Sequence, residues 1–275
     1  MNNDILILGG GYIGQRLKDE LDCPLSTARI NTFDDVSAVL KKYNPKTIIN
    51  CIGHTGVGNV DGCEKALDKT LQANTYVPLL LAEGAIRHNV KLIHISSGCI
   101  YHFDYEKSKP IEESMPPDYY ELYYSRTKIY IESVLQKLAD SYDILVARIR
   151  VPLDNRPHPK NILTKLLSFN KVIDVPNSVT YIPDFVKALH HLIRKNAKGI
   201  YNIVLKDAIN YKDLLDRYNA GAAKKHPYEL IKLEKLDLKR TNLILSTKKL
   251  EASGFKVRTP KEILDECVQE YRKHS

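Results

Sequence analysis

Short apolar runs alternate with longer amphipathic stretches through the first 150 residues or so of this 275-residue chain. Runs of this length bounded by turn residues are typical of strands, and the stretches between them have the spacing of helices. Strands that alternate with helices pair in parallel through right-handed crossovers, and both faces of their sheet become covered. The pattern predicts an α/β fold with a doubly wound parallel sheet. The predicted strands are 4–8, 47–50, 91–96 and 144–151, and the predicted helices are 15–21, 70–89 and 123–140.

The sequence changes character after Pro152, where loop-like and more charged segments replace the regular alternation. Residues 199–204 have the pattern of a late strand that returns to the main sheet. We therefore predict a nucleotide-binding domain over residues 1–151 and a smaller C-terminal lobe, mainly substrate-binding, over residues 152–275.

The composition narrows the class of protein. With 43% hydrophobic residues the chain can bury a full core, yet it has no run of about 18 apolar residues that could cross a membrane. Its first residues, MNNDILILGGG, lack the basic stretch and cleavage site of a signal peptide, and we interpret them as a strand. Five widely spaced cysteines without C-x-x-C argue against a disulfide framework and predict a reducing, cytoplasmic location. No metal-ligand spacing is present in the sequence.

The net charge of +8 lies outside the N-terminal part, because residues 1–110 are balanced. A solvated lysine-rich surface explains such an excess, and a site for an anionic small molecule is the next interpretation. Nucleic-acid binding is the least favoured, since no dense basic run with interleaved aromatic residues is present.

A glycine-rich motif directly follows the first predicted strand. Gly9, Gly11 and Gly14 form G-x-G-x-x-G, with Tyr12 and Ile13 inside it and a predicted helix behind it. Glycines at this spacing permit a tight turn and close approach of the backbone to a pyrophosphate, and the helix N-terminus adds partial positive charge. The motif predicts a Rossmann-type dinucleotide site contacted by these five residues; an ordinary glycine turn is the alternative.

The segment LDCPLSTAR at 21–29 bears on which dinucleotide binds. A carboxylate that holds the adenosine ribose is expected about 20 residues after the glycines, but no acid follows Asp22 here. Ser26, Thr27 and Arg29 offer hydroxyls and a cation instead, and these suit a 2′-phosphate. We expect NADPH as the cofactor, with NADH as the alternative.

Tyr124 and Lys128 are four residues apart on a predicted helix and therefore share a face. A free tyrosine has a pKa of about 10, and a nearby ammonium group stabilises its phenolate. Ser97, at the end of an adjacent strand, is suited to hold a carbonyl oxygen beside that phenol. A Y-x-x-x-K pair alone is also common on helix surfaces. After a nucleotide loop and a strand-ending serine, it resembles the short-chain dehydrogenase/reductase superfamily in its extended, sugar-nucleotide-modifying branch.

Several further blocks sharpen the resemblance between about residues 4 and 205. They are TGVGNVDGCE (55–64), SSGCIY (96–101), YSRTK (124–128), RIRVP (148–152), KNILTKLL (160–167) and VPNSVT (175–180). They resemble the nucleotide-rhamnose synthase/epimerase-reductases, which convert a nucleoside-diphosphate-4-keto-6-deoxyglucose to the L-rhamnose form. One departure is the glycine loop, which is one residue shorter than the G-x-x-G-x-x-G usual in extended members.

The resemblance implies roles for Cys99 and Lys165. In the epimerising members, a cysteine two positions after the catalytic serine and a basic residue after the arginine-containing strand exchange protons at C3 and C5. The matching positions here are Cys99 and Lys165, with Lys160 as a competitor for the second. The alternatives are a small buried cysteine and a solvated lysine.

Other residues enter as binding candidates. Gly53, Thr55 and Asn74 are expected on the cofactor side, and Arg150, Asn161, Asn177 and Ser178 on the sugar-nucleotide side. The resemblance implies a bifunctional 3,5-epimerase/4-reductase that uses NADPH on a nucleotide sugar, with UDP favoured over dTDP, and a homodimer by analogy. A monofunctional 4-keto-sugar reductase and a non-catalytic NADP-binding regulatory subunit are the alternatives. Neither a nucleic-acid nor a membrane partner is expected.

Overall fold

The structure is a computed structural model that describes residues 3–56, 59–235 and 241–274. Residues 57 and 58, which belong to the block at 55–64, lie outside the described residues. Contacts group the chain into two compact units. The first is Met1–Ile100, Pro117–Arg148 and Ile193–Tyr201, and the second is Tyr101–Pro116, Ile149–Leu192 and Asn202–Ser275. The predicted division into domains at residue 151 stays a prediction.

Strands and helices alternate through most of the described chain. The strands are β1 (Ile5–Leu8), β2 (Leu25–Ser26), β3 (Thr47–Asn50), β4 (Lys91–Ser97), β5 (Ile144–Ile149), β6 (Pro152–Leu153), β7 (Lys171–Ile173), β8 (Thr180–Tyr181), β9 (Gly199–Asn202) and β10 (Glu229–Ile231). The α-helices are α1 (Tyr12–Leu21), α2 (Phe33–Tyr43), α3 (Leu67–Leu71), α4 (Val77–His88), α5 (Tyr123–Leu138), α6 (Ile162–Leu166), α7 (Ile182–Arg194), α8 (Tyr211–Ala220), α9 (Lys248–Ala252) and α10 (Pro260–Lys273). Two 3₁₀ turns span Val60–Lys65 and Leu233–Lys235. Among the described residues, no helix combines the length and apolar character needed to cross a membrane.

The main sheet has the strand order β2-β1-β3-β4-β5-β9. β1 pairs in parallel with β2 and with β3, and β3 pairs in parallel with β4. The order reverses between β1 and β3, since β2 lies on one side of β1 and β3 on the other. Ligands of doubly wound sheets bind at the carboxyl ends of the strands beside such a reversal. The predicted Rossmann-type α/β fold is confirmed.

Alternate residues of the strands bury one face of this sheet against helices. The face includes Leu6 and Leu8 of β1, Ile48 of β3, Leu92 of β4 and Val146 of β5, packed with Val36 and Leu40 of α2, Leu81 and Ala85 of α4, and Ile131 and Leu135 of α5. Every residue of β1, β3 and β4 is buried, as expected for strands covered on both sides.

The single helix predicted over 70–89 is interrupted. A π-helical turn, Gln72–Tyr76, separates α3 from α4, and the Val77 N–H donates to the Gln72 carbonyl five residues back. Pro78, in the first turn of α4, has no N–H to donate to the Asn74 carbonyl, which favours the wider turn.

The second unit has its own core and two short sheets. β6 pairs in parallel with β8, and β7 pairs in parallel with β10. Buried apolar residues of α6, α8 and α10 surround these strands; they include Leu163, Leu214, Leu215, Ile263 and Val268.

Candidate active site

The glycine motif lies where β1 ends and α1 begins. Gly9 has a φ of +104°, which favours glycine, and a Cβ at Gly14 would lie 1.9 Å from the Gly9 carbonyl oxygen. A Cβ at Gly11 would meet nothing within 4 Å. Gly11 is the N-cap of α1 without a side-chain hydrogen bond, and the first turn carries no acidic residue. The loop packs tightly at Gly9 and Gly14 and leaves open space beside Gly11 at the N-terminus of α1, where the first helical N–H groups have no partner within the helix; this fits a dinucleotide pyrophosphate.

The residues after β2 lie beside this loop. Ser26 is buried and accepts a hydrogen bond from the Ala28 N–H (3.2 Å). Thr27 and Arg29 are exposed, and a Cβ at Gly10 would lie 2.9 Å from the Thr27 Cγ2. A hydroxyl next to the glycine loop and an exposed guanidinium group two residues later fit the 2′-phosphate of NADP.

The segment after β3 is held by Asn74, which lies in the π-helical turn and is fully buried. The His54 N–H donates to Asn74 Oδ1 (2.7 Å), and Asn74 Nδ2 donates to the His54 carbonyl (2.9 Å) and to Thr127 Oγ1 (3.3 Å). Gly53 is exposed and Thr55 is half-buried on this segment. The amide of Asn74 therefore ties the segment to α5, between Tyr124 and Lys128.

Ser97 ends β4, and Cys99 follows two residues later. The Cys99 N–H donates to Ser97 Oγ (3.2 Å), and the buried Ser125 hydroxyl donates to the Cys99 carbonyl (2.6 Å). Ser125 directly follows Tyr124 on α5, so one helix supports both the thiol-bearing turn and the phenol. Cys99 is half-buried, whereas Cys267 is fully buried; the role expected for Cys99 stays a prediction.

Tyr124 and Lys128 lie on the buried side of α5, with exposures of 6% and 4%. Lys128 Nζ donates to the Ile95 carbonyl of β4 (3.4 Å). Burial lowers the pKa of Lys128 from 10.5 to about 8, and the nearby Glu132 carboxylate partly opposes this shift. An amine with a pKa near neutrality is suited to proton chemistry.

Glu132 and Arg148 were not predicted as site residues. Arg148, on β5, donates from Nε to Glu132 Oε1 (2.8 Å) and from a terminal nitrogen to the same oxygen. Both side chains are at most 2% exposed. Two features of the sequence could have indicated them. Glu132 lies four positions after Lys128 on the same helix face, and Arg148 is a charged residue inside an otherwise apolar strand.

The four candidates on the sugar-nucleotide side are all buried inside the second unit, and three of them are Arg150, Asn177 and Ser178. Arg150 donates from Nε to Asn177 Oδ1 (3.3 Å) and from Nη1 to Thr241 Oγ1 (3.0 Å), and Ser178 Oγ accepts from the Leu245 N–H (2.9 Å). Arg150, Asn177 and Ser178 are only 1–2% exposed. These contacts position the segments around residues 177 and 241, and direct substrate contact by the three stays a prediction.

Asn161 and Lys165 belong to α6 and its N-cap. Asn161 is fully buried; its Oδ1 accepts from the Leu163 N–H (3.1 Å) and its Nδ2 donates to the carbonyls of Asp154 (2.8 Å) and Arg156 (2.9 Å). This residue therefore caps the helix and holds the loop before it. Lys165 is half-buried, while its competitor Lys160 is exposed.

Comparison with known proteins gives relatives in nucleotide-rhamnose metabolism. The chain is 26% identical over 217 residues to the bifunctional dTDP-4-dehydrorhamnose 3,5-epimerase/dTDP-4-dehydrorhamnose reductase of Arabidopsis thaliana, covering 76% of this chain and 70% of the relative. It is also 26% identical over 217 residues to a trifunctional UDP-glucose 4,6-dehydratase/UDP-4-keto-6-deoxy-D-glucose 3,5-epimerase/UDP-4-keto-L-rhamnose-reductase of the same plant. That alignment covers 76% of this chain but only 32% of the length of the trifunctional relative.

Solved structures share the fold over nearly the whole chain. The UDP-rhamnose synthase of Acanthamoeba polyphaga mimivirus superposes with a TM-score of 0.89 at 22% identity, covering 97% of this chain and 99% of that chain. The dTDP-4-dehydrorhamnose reductase of Bacillus anthracis, solved in complex with NADP, gives a TM-score of 0.83 at 18% identity, covering 98% and 99%. At these identities the likeness establishes the shared fold.

A family model described as the RmlD substrate binding domain matches residues 3–273. This match spans residues of both compact units. The resemblance based on the serine, tyrosine, lysine and glycine motifs is thereby confirmed, and the chain belongs to the RmlD substrate binding domain family of the extended short-chain dehydrogenases/reductases.

Proposed function

We propose that this protein is an NADPH-dependent bifunctional enzyme, a 3,5-epimerase and 4-reductase of a nucleoside-diphosphate-4-keto-6-deoxy-D-glucose, most simply the UDP sugar. The observation that carries the proposal is the support of Cys99, Tyr124 and Lys128 by one helix, with Ser125 holding the Cys99 carbonyl. A reductase needs the phenol and the amine, but it has no use for a half-buried thiol held at the same helix.

The cofactor is proposed to bind at the glycine motif and the residues after β2. Gly9, Gly11 and Gly14 would hold its pyrophosphate, and Arg29 with Thr27 its 2′-phosphate. NADPH supplies the hydride for C4 when it is bound. The relative of known structure with NADP supports this choice of cofactor.

In the proposed epimerase stage, the 4-keto group makes the protons on C3 and C5 acidic. One of Cys99 and Lys165 removes a proton as a base, which leaves an enolate, and the other returns a proton to the opposite face of the ring. Hydroxyl groups of Ser97 and Tyr124 donate hydrogen bonds to the C4 oxygen and stabilise its developing negative charge. Each inversion consumes and returns one proton, so no redox change accompanies it.

In the proposed reductase stage, Tyr124 donates its phenolic proton to the C4 oxygen as that carbon is reduced. The Lys128 ammonium stabilises the resulting phenolate, which keeps the phenol acidic enough to act near neutral pH. Ser97 holds the oxygen in place. The product is the nucleoside-diphosphate-L-rhamnose.

The test separates the two stages in deuterated water. The protein is incubated with UDP-4-keto-6-deoxyglucose and NADPH, and deuterium in the product is located by NMR. We expect label at C3 and C5, suppression of that label by Cys99→Ala, and loss of reduction with residual exchange in Tyr124→Phe. Cys267→Ala, which removes a thiol buried in the second unit, is the matched control and is expected to retain both stages.

Several results would contradict the proposal. Wild-type exchange by Cys99→Ala would remove the epimerase role of that thiol. Reduction of a pre-epimerised 4-keto-L-rhamnose nucleotide without any use of the 4-keto-6-deoxyglucose nucleotide would identify a monofunctional reductase. Failure to oxidise NADPH with either sugar, with the UDP or the dTDP form, would favour a non-catalytic binding protein.

A further inference from the structure

Lys128 belongs to a buried group of charges on one face of α5. Tyr124, Lys128 and Glu132 are spaced four residues apart, so their side chains lie along the same side of the helix. Glu132 is 2% exposed and Arg148, its partner on β5, is 1% exposed. Buried ion pairs are often no more stabilising than apolar residues of the same volume. Stabilisation of the fold therefore does not by itself explain why Glu132 and Arg148 are buried near Lys128.

The titratable groups that interact electrostatically with Lys128 come from four parts of the first unit. Glu132 lies on α5, Cys51 on the segment after β3, Cys63 on the 3₁₀ turn and His94 on β4. Burial raises the pKa of both thiols and lowers the pKa of His94 well below 6.5, so all three are neutral at physiological pH. Of these groups, within the described residues, Glu132 alone carries a negative charge.

We propose that Glu132 and Arg148 are positioning residues that set the charge of Lys128: the Glu132 carboxylate favours a proton on the Lys128 amine beside Tyr124, and Arg148, which is paired with that carboxylate, limits this effect. The inference rests on the proposed function, in which the Lys128 cation keeps the Tyr124 phenol acidic. Neither Glu132 nor Arg148 needs to contact substrate or cofactor for this role.

Substitution of Glu132 and substitution of Arg148 should shift the pKa of Lys128 in opposite directions. Arg148 cannot lose its proton inside a protein, so at every pH its positive charge opposes the effect of the Glu132 carboxylate on Lys128. Glu132→Gln leaves two buried cations, and Lys128 is the one that can release a proton. Arg148→Met leaves the whole carboxylate to Lys128, which then binds its proton more tightly.

The experiment is a pH titration of lysine Nζ resonances by ¹⁵N NMR on the cofactor-free protein, with Lys128 assigned by its loss in Lys128→Met. We expect the Lys128 midpoint to fall by about one pH unit in Glu132→Gln, because the upward effect of the carboxylate on the Lys128 pKa is lost, and to rise in Arg148→Met. The double variant is expected to return toward the wild-type midpoint.

Glu83→Gln is the matched control. Glu83 also forms a glutamate–arginine ion pair, with Arg87 one turn later on α4, but both side chains are exposed. It should leave the Lys128 midpoint unchanged. Shifts of the same sign in both single variants, or no shift in either, would overturn the inference. If Glu132→Gln does not fold, Glu132→Asp replaces it; a smaller downward shift supports the inference, and an unchanged midpoint contradicts it.

The titration requires no substrate, so its outcome is independent of whether the proposed reaction takes place. Where the enzyme is active, the alkaline limb of the kcat profile should move with the Lys128 midpoint, down in Glu132→Gln and up in Arg148→Met. A titration that shifts while no sugar nucleotide is reduced would refute the proposed function and leave the role of the pair intact.

Discussion

Replacing Lys128 by methionine should stabilise the folded protein at neutral pH and abolish reduction. The lysine pKa falls from 10.5 to about 8 on burial, which corresponds to a cost of about 3 kcal/mol at pH values below 8. Methionine has a similar length and no charge to bury. The variant also loses the hydrogen bond from Lys128 Nζ to the Ile95 carbonyl, which reduces the gain in stability by about 1 kcal/mol. Glu132 keeps Arg148 as a counterion, so the net gain at pH 7 is about 2 kcal/mol.

The sign of the pH dependence follows from the direction of the shift. Below pH 8, Lys128 is protonated in both the folded and the unfolded protein, and the full cost is present. Between pH 8 and 10.5 the folded protein releases this proton while the unfolded chain keeps it, so wild-type stability gains from Lys128 as the pH rises. The methionine variant lacks this gain, and its advantage should vanish toward pH 10.5.

Urea unfolding of both proteins at pH 7 and pH 10, followed by circular dichroism, measures this difference. Lys137→Met is the control, because Lys137 lies on the same helix with 86% of its side chain exposed and should change stability by less than about 0.5 kcal/mol. A Lys128→Met variant that is less stable than wild type at pH 7, or an advantage that does not narrow with pH, would refute the reasoning.

Three further predictions concern the glycine motif and the support of the thiol. Gly14→Ala should lose about 1–3 kcal/mol of stability in thermal unfolding, because its Cβ would lie 1.9 Å from the Gly9 carbonyl oxygen. Gly11→Ala should unfold like wild type yet bind NADPH more weakly in a fluorescence titration, and unchanged affinity would count against a phosphate site there. Ser125→Ala should cost about 1 kcal/mol and slow deuterium exchange more than reduction of the pre-epimerised sugar, since its hydroxyl holds Cys99. Equal slowing of both steps would contradict that role.

Local signals predicted much of the fold. The strand expected at 47–50 is β3 with the same bounds, and the helix expected at 123–140 is α5, Tyr123–Leu138. Both are short-range patterns: an apolar run of strand length, and a 3.6-residue period over several turns. The G-x-G-x-x-G motif likewise lies where a strand ends and a helix begins, because the turn requires a glycine at Gly9 and close packing requires one at Gly14.

Features that depend on distant partners were not predicted. The π-helical turn at Gln72–Tyr76 is an i to i−5 register that hydrophobic periodicity does not distinguish from a continuous helix. Glu132 is bound by Arg148, 16 residues later, and Arg150 by Asn177, 27 residues later. A charged residue type identifies chemistry, but whether its side chain turns inward depends on such tertiary contacts. The roles expected for Arg150 and Asn177 were therefore less predictable than the motifs.

The chain passes between its two compact units at residues 100, 116, 148, 192 and 201. Neither unit is therefore a continuous stretch of sequence, and a chain that stopped before residue 199 would leave β5 without its neighbour β9. During synthesis the main sheet cannot be completed until this late segment has emerged from the ribosome. An exchange of one unit with that of a relative would have to transfer several separate segments at once.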